Sequence, residues 1–113
     1  KARAPRVIET DEGKDRWIVD RDLVLGPPGF CVIKKDGGKV HGTFSLESFA
    51  EMAPGASSAK PRLAHMDELG LSAQILYPNI LGFAGAGIMK ISDLELRIFC
   101  VSGYNDGLGA LLV

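Results

Sequence analysis

The sequence is poor in the residues that most often build reactive centres. It has only two cysteines, Cys31 and Cys100, and no C-x-x-C spacing that would suggest a zinc knuckle or a redox pair. Two buried thiols in a reducing compartment are the plainer reading. Only two histidines occur, His41 and His65, and neither stands in H-x-H, H-x-x-x-H or another metal-site spacing. No metal ligand is assigned on this chain. Long hydrophobic runs are missing too: none approaches the roughly 20 residues of a membrane helix, and the basic start KARAPRV is not followed by an apolar signal segment. Nor is there an excess of either charge. Thirteen Lys and Arg face fourteen Asp and Glu, a formal charge of −1, which leaves no broad electrostatic footprint for nucleic acid or anionic lipid. The expectation is a soluble, cytoplasmic chain with neither nucleic acid nor membrane as partner.

What is present fits one small globular domain: 113 residues, 46% hydrophobic and 24% charged. Residues 6 to 25 hold two short β-branched or aromatic runs, VIE and RWIV, around the turn-rich TDEGKD, a hairpin signal. GPPGF cannot continue a strand, and a third run, CVIKK, meets the turn DGGK. Residues 1–43 therefore read as a β-rich, insertion-like segment, and residues 44–113 as a helix-strand-helix portion.

In that second portion Ser45 is a candidate N-cap for a short helix over LESFAEM, stopped at Pro54-Gly55. A stronger helix is expected from about Ser58 to Leu69, with Leu63, Met66 and Leu69 on one face and Gly70 as its stop. SAQILYP then reads as a buried strand ended by Pro78. The last helix is expected to open at Ser92, where Ser92 and Glu95 have capping-box spacing and Asp93 complements the helix dipole. Ile98, Val101, Leu108 and Leu112 extend its apolar stripe, with Gly103, Gly107 and Gly109 weakening its second half. Helix, strand, loop and helix in this order is the alternation of a parallel α/β architecture.

The glycine-rich loop between strand and last helix invites comparison with phosphate-binding loops. Gly82 and Gly87 have Walker A spacing, but Ile88 and Met89 stand where the lysine and hydroxyl must be. Gly82, Gly85 and Gly87 are also out of order for a dinucleotide fingerprint. These glycines read as shape-giving.

Together, RLAHMDELGLSAQILYPN and ISDLELRIFCVSGYND resemble the amidohydrolase-related family of metal-dependent hydrolases and decarboxylases, the aminocarboxymuconate semialdehyde decarboxylase-like group. The family pattern R-x-x-x-M-D-E-x-G-I/V-x-x-Q-x-L-Y-P is matched by Arg62, Met66, Asp67, Glu68, Gly70, Gln74, Leu76, Tyr77 and Pro78, with Leu71 in place of Ile or Val. RAPRVIETDEGKDRWIVD and LGPPGF are similar to the long segment such proteins place between their first two barrel strands. The resemblance implies a TIM-type (β/α)8 barrel, of which this chain would be a partial, N-terminal-region fragment, with SAQILYP as second strand. It also implies a divalent metal, zinc or manganese, in the full-length parent, where H-x-H, later histidines and a late aspartate hold it. None of those ligands has a counterpart here, so no cofactor is expected for this chain alone. A small-molecule substrate, carboxylated or cyclic, and a homo-oligomeric parent are further implications.

Tyr77 and Asn79 are the candidate substrate-binding residues, because the C-terminal ends of barrel strands carry the active site. Against this stands the ordinary role of Asn after Pro in shaping a turn. Asp67 and Glu68, about 100° apart on a helix, cannot act as one acid/base pair and read as surface charges, while Arg62 can pair with them or dock the helix against the following loop. No serine or cysteine has an adjacent base, so no catalytic residue is assigned. A stand-alone α/β interaction module without catalysis is the alternative of a different class, its strand edges and helix faces open to a partner.

Overall fold

The computed structural model describes residues 2–30, 32–38, 45–78 and 86–111. Its elements run β1 (Arg6–Glu9), β2 (Asp15–Val19), β3 (Leu23–Gly26), β4 (Gly29–Phe30), β5 (Ser45–Leu46), α1 (Ala59–Glu68), α2 (Ala86–Met89) and α3 (Leu94–Leu111), with 3-10 turns at Phe49–Glu51 and Pro54–Ala56. The chain thus mixes strand and helix, and all described strand pairings are antiparallel.

The expected hairpin is β1 against β2, with Val7 opposite Trp17 and Glu9 opposite Asp15. Its turn closes because the Thr10 amide donates to the Lys14 carbonyl at 2.8 Å and Gly13 adopts φ +71°, a conformation glycine reaches without steric cost. A three-residue turn brings β3 back along β2, with Asp20 at φ +58°, where a short polar side chain is tolerated. Val32–Lys35 do not form the third strand that CVIKK suggested. Lys34 makes a single bridge to Met52, while β3 takes the third place in the sheet.

The helix expected from Ser45 is absent. Ser45 and Leu46 pair with β4, and the Asp15 carboxylate accepts from the Ser48 hydroxyl at 3.0 Å and the Phe49 amide at 2.8 Å. Ser48 therefore caps one 3-10 turn, its oxygen accepting from the Ala50 amide. A segment this short has too few hydrogen bonds to repay helix nucleation against such a competitor.

The helix at 58–69 is present as α1, but its apolar residues are not covered: Leu63 and Leu69 are exposed. SAQILYP is likewise not a buried strand. Residues 73–78 pair with no described strand, and Ile75 is 77% and Tyr77 69% exposed. An apolar run becomes a buried strand only where neighbours hydrogen-bond its edges.

The last helix starts one position later than expected. Asp93, rather than Ser92, is the cap, its Oδ1 accepting from the Leu96 amide at 3.2 Å. The stripe that packs is Leu96 and Cys100, buried with Val19 and Ile91, while Ile98 and Val101 face solvent. An unexpected turn of helix, α2, precedes it and supports this core through half-buried Ile88. Despite its three glycines, α3 is helical to Leu111.

Two features tie the sheet to α3. Arg3 donates from Nε to Asp20 at 2.6 Å and from Nη2 to Asp93 at 2.8 Å, joining the β2–β3 turn to the helix start. Arg6 reinforces the same corner, donating to the carbonyls of Ala2, Asp20 and Arg21. The whole chain exposes 8170 Å², against about 6000 Å² for a compact monomer of this size.

Candidate functional site

The segment of residues 73–78 is positioned from α1. That helix ends in a Schellman turn: the Leu71 amide donates to the Met66 carbonyl at 2.9 Å and the Gly70 amide to that of Asp67 at 3.1 Å, with Gly70 at φ +68°. The turn reverses the chain so that Arg62 Nη1 donates to Gln74 Oε1 at 3.1 Å. Arg62 therefore docks the helix against the following segment and pairs with neither Asp67 nor Glu68. His65 is exposed on the same helix, its Nδ1 3.4 Å from Glu68 Oε2.

From Gln74 the chain runs to Pro78, which borders a cavity of about 630 Å³. Trp17 from β2, Phe49 and Met52 from the 3-10 region, and Cys100 and Tyr104 from α3 form its other walls. Trp17 and Phe49 meet edge to face, with ring centroids 6.2 Å apart, an arrangement favoured by the aromatic quadrupole. Burial pushes the Cys100 thiol above its usual pKa, so this sulfur is a neutral, poorly nucleophilic part of the wall.

Of the two candidate substrate-binding residues, Tyr77 stands beside this cavity without lining it, and Asn79 lies outside the described residues. His41, Cys31 and the glycines at 82 and 85 also lie outside them. Trp17, Phe49 and Tyr104 were missed by sequence reasoning because they come from three distant segments. The lone tryptophan on a strand was the one available signal. Among the described residues no three His, Cys, Asp or Glu side chains converge as a metal site. The described residues therefore offer no ligand set for a divalent metal. No helix of the described residues is long and apolar enough to cross a membrane.

The chain was also compared with known proteins: no family model, curated protein or solved structure matches it.

Proposed function

We propose that this chain is part of a metal-dependent amidohydrolase-type enzyme that hydrolyses or decarboxylates a small carboxylated or cyclic substrate. It supplies part of a TIM-type barrel wall and one βα loop, and is inactive alone. The observation that carries this reading is the Arg62–Gln74 hydrogen bond across the Schellman turn. It joins two positions of the R-x-x-x-M-D-E-x-G-I/V-x-x-Q-x-L-Y-P pattern and leads the chain to Pro78 at the border of a cavity, where a barrel reading puts the end of a strand. The excess accessible surface and the uncovered apolar residues Leu63, Ile75, Ile98 and Val101 agree with a wall that further barrel segments cover. In this reading the divalent metal, zinc or manganese, is held by histidines and an aspartate of those other segments, in a cytoplasmic, homo-oligomeric parent.

The exposed face of α3 also favours the second reading, a small interaction module that offers Ile98 and Val101 to a partner chain. One experiment separates them. The coding sequence is read outward on both sides in its source DNA, and the extended protein is purified and assayed for bound metal. An upstream H-x-H, downstream histidines and a stoichiometric divalent metal are expected. A start codon directly before Lys1, a stop after Val113 and a cooperatively folded monomer would overturn the enzyme reading in favour of the module.

A further inference from the structure

A second cavity, of about 650 Å³, opens between the turn around Lys34–Gly38 and α1. It is built from rigid pieces. The Lys34 amide donates to the Gly38 carbonyl at 3.0 Å and the Gly37 amide to that of Lys34 at 2.9 Å, with Gly37 at φ +80°. The Lys35 amide donates to the Glu51 carbonyl and the Ala53 amide to that of Ile33, which pins this turn to the 3-10 region. That region in turn presses on α1: a Cβ added to Gly55 would lie 3.2 Å from Arg62 Cα.

The chemistry of the walls is lopsided. Lys34, Lys35 and Arg62 border the cavity, and none of them makes an ion pair among the described residues. The one acidic residue of the lining, Asp36, is turned to its own loop, with Oδ1 accepting from the Gly38 amide at 2.9 Å. The rest of the lining includes an apolar floor of Ile33, Met66, Leu69 and Leu71, of which Leu69 and Leu71 are exposed. In a chain of net charge −1 this lining joins three cationic side chains to an apolar floor. An amphipathic monoanion complements both features, whereas a hydrated inorganic anion would leave the floor uncovered.

We propose that this cavity binds a small organic carboxylate, with its apolar body on Met66, Leu69 and Leu71 and its carboxylate at Lys34, Lys35 and Arg62. Guanidinium and ammonium donors make charge-assisted hydrogen bonds there, in a site whose backbone is already fixed. The site adjoins the one beside Pro78, sharing Val32 and Ala56 with it, but uses different polar groups, and the outcome below is independent of the metal assay.

The test is an amide chemical-shift titration of the full 113-residue chain with phenylacetate, its neutral isostere phenylacetamide, and inorganic phosphate. Phenylacetate is expected to perturb residues 32–37 and 62–71 saturably. Phenylacetamide, or phenylacetate on the Lys34→Gln/Lys35→Gln variant, is expected to bind about tenfold more weakly or worse, from loss of charge-assisted bonds. The two lysines sit on a surface turn, and the variant's unchanged circular dichroism would show that weakening is not unfolding. Equal binding of acid and amide, phosphate binding as tight as phenylacetate, or no saturable shift would each overturn the proposal. An undispersed amide spectrum would do so as well, because the cavity exists only while Gly55 packs on α1.

Discussion

Arg3 shows how much one exposed side chain can organise. Its guanidinium holds the Asp20 carboxyl below the usual carboxylate range, chiefly through their hydrogen bond. The Asp93 carboxyl is lowered first by the Leu96 amide and then by Arg3. Carboxyls depressed on folding stabilise the fold above about pH 4, the unfolded value, and lose that contribution as pH falls through their lower folded values. Acid unfolding of the wild type is therefore expected to steepen below about pH 4, and Arg3→Gln to shift that limb to higher pH, as followed by circular dichroism. Salt should blunt the difference, since the groups are solvent-exposed. The hydrophobic contrast at this scale lies between two isoleucines. Ile91 is 1% exposed and Ile98 58%, so Ile91→Ala should cost about 2–5 kcal/mol and Ile98→Ala within about 0.5 kcal/mol in urea unfolding of the same chain.

Among the elements, glycine positions separate strain from slack. Gly29 of β4 faces Leu46 so closely that an added Cβ would meet the Leu46 Cβ at 2.7 Å, so Gly29→Ala should destabilise by about 1–3 kcal/mol. At Gly107 and Gly109 in α3 an added Cβ meets nothing, so alanine at either should raise helicity and stabilise by up to about 1 kcal/mol. Thermal melts followed at the helical band check both signs. The elements also show where sequence was readable. The β1–β2 hairpin and α1 were legible because a turn of the right chemistry closes the first and Gly70, at φ +68°, stops the second independently of packing. The packed face of α3 was not, because this helix carries apolar residues on several sides and only contact with Val19 and Ile91 selects Leu96 and Cys100. The helix expected at Ser45 failed for a related reason: Asp15, thirty positions or so away, claims the amide that would have opened it. Both cavities were illegible, being assembled from segments far apart in sequence.

For the molecule as a whole, the decisive quantity is the roughly one-third excess of accessible surface over a compact chain of this size. Its radius of gyration, 14.9 Å, exceeds the about 13 Å typical of such a length. The chain should therefore bind anilinonaphthalene sulfonate under native conditions, with fluorescence enhancement as the measurement; no enhancement would mean that the apolar faces of α1 and α3 are closed in solution. The Arg3 contact has one more consequence, for the order of folding. It closes a loop that runs from near one end of the chain to the start of α3, so most of the intervening chain must be in place before the two carboxylates can find the guanidinium. Such a clasp forms late: it acts on the rate at which the fold opens and leaves the rate at which it assembles nearly untouched.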